Sequence, residues 1–249
     1  MIKLDLSGVR YSWRDKEKKI KLPKVLTPEL AEDMGIHIGD GSLYKCNPKR
    51  TSYEFKYASN TNERNYLMHI LNIKKKLYRL NKYKIKQRNN ELNLIFNSLA
   101  IATFYTNSLG IPSGSKLYTS KVPKIIKESK EKELIASFIR GVVDTDFYFC
   151  FKNKYGKPYP ILQGMFASKE LVKDLGELFD HLGIKNNIRL DISKFDKRSN
   201  RSYNTNEVTI CGWKRVGQYI SQIGFSNPKN IERIKMSPPG FEPGTVHQA

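Results

Sequence analysis

The sequence has few cysteines, few histidines and no long hydrophobic run. Cys46, Cys150 and Cys211 are odd in number and far apart, and no Cys-x-x-Cys pair occurs. A disulfide scaffold and a structural zinc site are therefore excluded. No stretch approaches the roughly 18–20 apolar residues of a spanning helix, and no apolar signal region precedes the charged run 14–24. We expect an intracellular protein of the cytoplasm or an organellar matrix that is not secreted.

Acidic residues are also scarce. The 249 residues include 44 Lys and Arg but only 24 Asp and Glu, which gives a formal net charge of +20. Hydrophobic residues make up 39% of the chain, which is enough for a core and argues against disorder. A field of this sign attracts polyanions, so nucleic acid is the leading partner and an anionic membrane surface is second.

The sequence contains the same order of predicted elements twice. A helix–strands–helix–strands–helix order runs through each half, and Asp40 recurs as Asp146 at an offset of 106 residues. The helix stop at Gly110 recurs in the same way at Gly224. This duplication predicts two similar halves related by a pseudo-twofold axis. We predict a basic N-terminal arm over residues 1–24, a first half over 25–120, a second half over 121–235 and a flexible tail over 236–249.

Two segments combine small residues with a terminal carboxylate. The small residues are spaced four apart, which stacks them on one helix face and permits close approach of a second helix: Gly35 with Gly39, and Gly141 with Thr145. Each segment then places Asp40 or Asp146 at the negative end of its helix dipole, which is unfavourable for an anion. A divalent cation would relieve this repulsion, and oxygen ligands near phosphate suit Mg²⁺.

These segments resemble the motifs of the LAGLIDADG homing endonuclease family in its single-chain, two-motif form. The first motif is Met34–Leu43 (MGIHIGDGSL) and the second is Phe138–Phe149 (FIRGVVDTDFYF). Similarity continues at three further segments: Leu109–Lys116 (LGIPSGSK), Lys121–Pro123 (KVP) and Ile223–Lys229 (IGFSNPK). Together the resemblance spans about residues 27–235.

The resemblance implies a fold and a function. The fold is α+β, with two αββαββα halves, parallel central helices and two saddle-shaped antiparallel sheets that lie in the DNA major groove. The function is a site-specific, metal-dependent double-strand break in a long pseudo-palindromic DNA site, as in intron homing. The cofactor is Mg²⁺, with Mn²⁺ as a substitute. The protein acts on double-stranded DNA as a monomer, with no membrane and no obligate protein partner.

The resemblance also implies roles for particular residues. Asp40 and Asp146 would bind the metals with the backbone carbonyls of Gly39 and Thr145. Lys121 and Lys229 would polarise the attacking water or stabilise the developing charge, with Lys116 as the alternative in the first half. The second motif departs from the family by carrying Phe147 where Gly is usual, and we expect Phe147 to strain or change the turn after the helix.

Strand alternation predicts the residues that face DNA. The first sheet would present Tyr44, Arg50, Lys56, Lys84, Lys86 and Arg88. The second sheet would present Lys152, Lys154, Gln163, Arg189 and Asp191. The basic stretch 194–206, which contains Arg198 and Arg201, is predicted to be a loop against phosphate or a groove. Arg and Gln suit base edges, whereas Lys more often neutralises phosphate.

Two other functions use the same features. An RNA-binding intron maturase would use the same basic saddle for structured RNA and would not cut DNA. A non-catalytic DNA-binding regulator would not need Asp40 and Asp146, so the presence of both carboxylates argues against it.

Overall fold

The computed structural model describes residues 2–46, 52–197 and 200–235. Two four-stranded antiparallel sheets each pack helices on one face, with strand orders β1-β2-β4-β3 and β5-β6-β8-β7. Within these residues, no helix combines the length and apolar character needed to cross a membrane.

The two halves repeat one order of elements. The first half comprises α2 (Pro28–Gly39), β1 (Gly41–Lys45), β2 (Tyr53–Asn60), α3 (Arg64–Tyr78), β3 (Lys84–Arg88), β4 (Glu91–Asn97) and α4 (Leu99–Thr103), which continues as a π-helical turn over Phe104–Ser108. The second half comprises α5 (Lys124–Lys127), α6 (Lys132–Asp146), β5 (Phe147–Lys154), β6 (Lys157–Phe166), α7 (Lys169–His181), β7 (Asn187–Asp196), β8 (Arg201–Cys211), α8 (Trp213–Gln222) and α9 (Pro228–Lys235). The predicted α+β class with two αββαββα halves is confirmed.

Local sequence signals explain where these elements begin. Thr27 caps α2 because its hydroxyl accepts a hydrogen bond from the Leu30 N–H at 3.2 Å, and Pro28 occupies the first helical position. Ser168 caps α7 in the same way through Leu171. These caps explain why the order of elements is legible in the sequence.

The first 24 residues, predicted as a basic arm, pack against the first half. They contain the short helix α1 (Trp13–Glu17), and Leu4, Ile20 and Leu22 are buried in the core. An antiparallel bridge joins Lys3 to Val25. Burial of these aliphatic side chains offsets the entropy of ordering a basic segment. The predicted tail, residues 236–249, lies outside the described residues.

The predicted loop over residues 194–206 is largely a hairpin. The strands β7 and β8 pair from Asn187↔Thr209 to Asp196↔Arg201, so Arg201 opens β8 near the hairpin tip and is exposed. Arg198 and Arg50 lie outside the described residues. The polar composition of this stretch reflects a solvent-exposed ribbon and gives little apolar alternation from which to predict a strand.

Phe147 does not strain the turn after α6. Its backbone is extended, with φ −99° and ψ 148°, which any residue adopts. Its ring packs near Phe166 and Phe179, and it is paired across the sheet with Gly164. A Cβ at Gly164 would overlap that ring. The first half has the reverse arrangement, with Gly41 opposite Tyr57.

Candidate active site and nucleic-acid interface

The central helices α2 and α6 are in backbone contact. A Cβ at Gly35 would overlap the carbonyl oxygen of Phe138, and one at Gly141 would overlap that of Glu32. Further along both helices, a Cβ at Gly39 would overlap the Thr145 hydroxyl. Because positions later in α2 meet positions later in α6, the helices are parallel. Their C-terminal ends, and the residues there, lie side by side.

Asp40 and Asp146, the carboxylate pair, meet at these ends. Asp40 directly follows α2 and Asp146 is the last residue of α6, so each immediately precedes the first strand of its sheet. Loss of solvation, together with the charge of Asp146, raises the pKa of Asp40 to about 7. Loss of solvation raises the pKa of Asp146 to about 6. The charge of Lys116 lowers both pKa values but does not offset the loss of solvation.

Lys116 is the cation that acts on both carboxylates. Its Nζ donates hydrogen bonds to the carbonyl oxygens of Ile38 and Gly39, each at 2.7 Å, and also to that of His37. This ammonium group caps the negative end of α2. Burial lowers the pKa of Lys116 to about 8, while the charges of Asp146 and Asp40 oppose that shift. The Gly39 carbonyl, predicted to bind metal, is one of the three that accept a hydrogen bond from Lys116.

The carboxylate pair suits a divalent cation that is shared with substrate. Among the residues that the structure describes, no group of three or more His, Cys, Asp or Glu side chains is placed to hold a metal ion. Mg²⁺ is commonly held by one or two carboxylates, with water and phosphate oxygens completing its shell. The raised pKa values of both Asp40 and Asp146 mark a place where added positive charge is stabilising.

Lys121 pairs with a glutamate of the second half, and Lys229 pairs with a glutamate of the first half. The Lys229 Nζ lies 2.8 Å from Oε1 of Glu63, directly before α3. The Lys121 Nζ lies 4.0 Å from Oε1 of Glu170, in the first turn of α7. The two pairs are thus related by the pseudo-twofold axis. Glu63 also raises the pKa of Asp40, so Lys229 approaches the carboxylate pair through Glu63.

The first sheet carries its predicted basic residues on one face, here called the first open face. The opposite face buries side chains such as Phe55 and Leu94 against the helices. The strand register places the predicted residues on the open side: Tyr44, Lys56, Lys84, Lys86 and Arg88. The first sheet therefore presents a mostly basic surface away from its helices.

The second sheet has an equivalent second open face. The register places Lys152, Lys154, Gln163 and Arg189 on it. Asp191 departs from the prediction because a β-bulge lies between Arg189 and Ile192, and Asp191 has φ 55°. Its carboxylate lies 2.7 Å from the Lys169 ammonium at the start of α7. The bulge breaks the alternation on which the prediction of Asp191 rested.

Buried charged residues of the central helices were not among the residues predicted from the sequence. Glu32 accepts hydrogen bonds from Arg140 Nη2 at 2.7 Å and from the Ser226 hydroxyl at 2.9 Å, which links the two halves. Hydrogen bonds from His69, Arg140 and Ser226 hold the pKa of Glu32 at about 2 despite its burial. Glu32 lies in α2 and Arg140 in α6. The signal available in the sequence was the presence of a charged residue in a helix that is packed on several sides.

Comparisons with known sequences match a segment of larger proteins. No protein-family profile matches the chain. An A-type ATP synthase subunit of Pyrococcus abyssi is 30% identical over 219 residues, which cover 87% of this chain and 20% of that protein. A probable translation initiation factor IF-2 of Methanocaldococcus jannaschii is 29% identical over 222 residues, covering 86% of this chain and 17% of that protein. The chain spans about a fifth of these relatives, and neither named activity is assigned to it.

Solved structures share the fold. A variant of I-DmoI in complex with its target DNA in the presence of Mg matches with a TM-score of 0.53 at 17% identity, covering 79% of this chain and 95% of that one. I-DmoI with DNA and Ca gives 0.51 at 18% identity, covering 84% and 98%. The LAGLIDADG homing endonuclease I-GzeII with its DNA target gives 0.53 at 11% identity, covering 84% and 87%. At these identities the likeness shows the fold.

Proposed function

We propose that this chain, whose fold is that of the LAGLIDADG homing endonucleases, is a site-specific, Mg²⁺-dependent DNA endonuclease. It makes a double-strand break in a long pseudo-palindromic site and acts as a monomer. One observation carries the proposal: the carboxylate pair is brought together by backbone contact of the central helices, directly before the first strands of two sheets with basic open faces.

The open faces account for binding of the substrate. The first open face carries Lys56, Lys84, Lys86 and Arg88, and the second carries Lys152, Lys154 and Arg189. A net charge of +20 favours release of condensed counterions from duplex DNA, so affinity falls steeply with salt. Two faces related by a pseudo-twofold axis match a pseudo-palindromic site of two half-sites.

The carboxylate pair accounts for hydrolysis. A divalent cation bound there would activate water and offset phosphate charge. Asp40 and Asp146 come from different halves, so each half contributes one carboxylate at the axis that relates the two DNA strands. Lys116 keeps a positive charge beside both carboxylates. Lys121 and Lys229 would act on opposite halves, since Lys121 lies near Glu170 at the start of α7 and Lys229 near Glu63 before α3.

Cleavage tests this proposal directly. We would incubate the protein, with and without Mg²⁺, with a duplex library that includes the gene's flanking sequence joined as an uninterrupted allele. The wild type should cut both strands at one site only with Mg²⁺. Asp40→Asn and Asp146→Asn should bind the same duplex without cutting it.

Two results would overturn the proposal. Cleavage that persists in both variants would place the chemistry elsewhere. Tight binding to structured intron RNA, with no metal-dependent cutting of DNA, would assign the scaffold to a maturase.

A further inference from the structure

The segment around α1 is fixed to the far end of the first sheet. Asp15 is 1% exposed, and its carboxylate accepts hydrogen bonds from the Ser98 hydroxyl at 2.7 Å and the Ala100 N–H at 3.2 Å, where α4 begins after β4. The same carboxylate accepts the Ser12 hydroxyl at 2.6 Å and the Ser12 N–H at 2.9 Å. One buried carboxylate therefore caps α1 and ties it to the chain after β4.

A groove of about 1370 Å³ lies between α1 and the sheet. The Lys18 Nζ donates a hydrogen bond to the Asn97 carbonyl at 2.9 Å, which joins α1 to the end of β4. The groove is lined by Trp13, Arg14 and Lys18 from the α1 region and by Lys84, Lys86 and Ile95 from the sheet. Because Lys84 and Lys86 also belong to the first open face, the groove continues that face at the end of the sheet where β2 begins and β4 ends.

Basic side chains dominate the charge of the groove. Among the acids that line it, Asp15 is buried, Glu17 lies 3.2 Å from the Lys82 ammonium, and Glu54 accepts a hydrogen bond from the Tyr44 hydroxyl. The basic residues lining it are Arg14, Lys18, Lys82, Lys84 and Lys86. Basic side chains outnumber the acids in the groove, and each acid is buried or already paired. The groove therefore suits a polyanion.

Trp13 gives this charged helix an aromatic surface. Its side chain is 74% exposed and lines the groove beside Arg14. An indole has a flat apolar ring and one N–H donor, which fits the sugar–phosphate edge of a duplex.

We propose that α1 and its groove bind the DNA duplex beyond the segment covered by the first open face, as a flank-binding element. This inference rests on the proposed function, because it takes duplex DNA as the ligand of the open faces. The phosphates of the flank would meet Arg14 and Lys18, and the Trp13 ring would pack on the backbone.

The second half does not repeat this element. Residues before α6 form α5, and the Asp174 carboxylate on α7 accepts hydrogen bonds from the Val122 N–H at 3.0 Å and from Lys127. That segment packs against a helix instead of extending a sheet. The bound DNA segment should therefore be longer on the side of the first half.

Truncated duplexes test the proposal with the full-length protein. A tight-binding duplex is first selected from a random library in Ca²⁺, so the site is defined by binding and not by cutting. Affinity is then measured on this duplex and on two versions, each shortened at a different end. The variants are Trp13→Ala and Arg14→Ala. The matched control is Lys16→Ala, which removes an exposed charge from the same helix outside the groove.

The expected result is specific to one end. Arg14→Ala should lower the slope of log K against log salt by about 0.9 on the full duplex and on one shortened duplex, but not on the other. Trp13→Ala should raise Kd about fivefold with the same dependence on the end. Lys16→Ala should match the wild type, and all variants should keep the wild-type Tm.

Other results would overturn the flank-binding element. These are equal losses on all three duplexes, no loss in either variant, or tight binding only to structured RNA. Cleavage in Mg²⁺ is scored on the same duplexes. An end-specific loss in a protein that binds but never cuts would refute the endonuclease and keep the flank contact. Normal cutting without an end-specific loss would refute the flank contact alone.

Discussion

The ammonium of Lys74 lies 2.6 Å from Oδ1 of Asp33, and both side chains are completely buried between α3 and α2. Hydroxyl groups surround the pair, since Tyr78 donates to Asp33 at 2.6 Å and Lys74 donates to Tyr57 at 2.6 Å. His37 extends this network, with its Nδ1 2.8 Å from the Tyr57 oxygen. Burial lowers the pKa of Lys74, and the charge of Asp33 opposes that shift.

Removing one member of this ion pair should destabilise the first half. Lys74→Met leaves the Asp33 charge buried without its partner, so we expect a loss of about 3–5 kcal/mol in the free energy of unfolding. Chemical denaturation measures it. Lys75→Met, an exposed neighbour on the same helix, should change stability by less than about 0.5 kcal/mol. Equal effects of the two variants would contradict a structural role for the pair.

The contact between the central helices predicts opposite effects for two glycine substitutions. Gly35→Ala drives a methyl group into the Phe138 carbonyl, so α2 and α6 must separate. We expect a loss of at least about 2 kcal/mol by thermal or denaturant unfolding. Gly217→Ala in α8 meets open space and should stabilise by about 0.5–1 kcal/mol through helix propensity. A neutral Gly35→Ala would refute close backbone contact.

The carboxylate pair should destabilise the metal-free protein at neutral pH. The pKa of Asp40 rises from 3.8 to about 7 on folding, so between these values the folded state binds more protons than the unfolded state. Stability therefore falls as pH rises across this window and levels off above it. Asp40→Asn removes the contribution of Asp40 to this dependence, while that of Asp146 remains. It should stabilise by about 1–2 kcal/mol at pH 8, after allowance for solvent screening.

The check is a Tm series at several pH values, with and without Ca²⁺. The gain of Asp40→Asn should vanish below about pH 3, where the carboxyl is protonated in both states. Ca²⁺ should raise the Tm of the wild type more than that of the variant. A variant less stable than the wild type at pH 8 without metal would show that the carboxylates are compensated.

In the proposed endonuclease, the three candidate lysines should differ in their effects on the two DNA strands. Lys116 acts on both carboxylates, so Lys116→Met should slow cutting of both strands by about 10-fold or more. Lys121→Met and Lys229→Met should each slow mainly one strand, because the two lysines reach opposite halves. Nicking and linearisation of a supercoiled plasmid separate the two steps. Equal effects of Lys121→Met on both strands would contradict this division.

Local signals made much of the fold predictable. The caps at Thr27 and Ser168, the glycine spacing in α2 and the repeated acidic helix ends depend on residues close in sequence. They fixed the two αββαββα halves and the central helix pair. The packing of the N-terminal segment could not be predicted locally, because it depends on Asp15, whose hydrogen bonds reach Ser98 and Ala100, more than 80 residues away.

The site was predictable only in part, because it also depends on contacts between residues that are distant in the sequence. Lys116 and Lys121 both precede the second central helix, and spacing alone does not say which one reaches the end of α2. The chain path decides it: the Gly114 N–H donates to the Leu43 carbonyl at 2.8 Å, which brings the loop back to β1 and places Lys116. The β-bulge that turns Asp191 away from the second open face likewise leaves no mark in residue alternation.

Between β1 and β2 a glycine faces a large residue, Gly41 opposite Tyr57, whereas between β5 and β6 the order is reversed, with Phe147 opposite Gly164. This reversal limits which strands the two halves can exchange. Grafting β1 opposite β6 would set Gly41 against Gly164 and leave a void, whereas β5 opposite β2 would set Phe147 against Tyr57 and crowd the same place. Exchanging a strand between the halves would thus require a paired change in its neighbour. Hybrid proteins built from these halves should fold well only when each joint keeps β1 with β2 and β5 with β6.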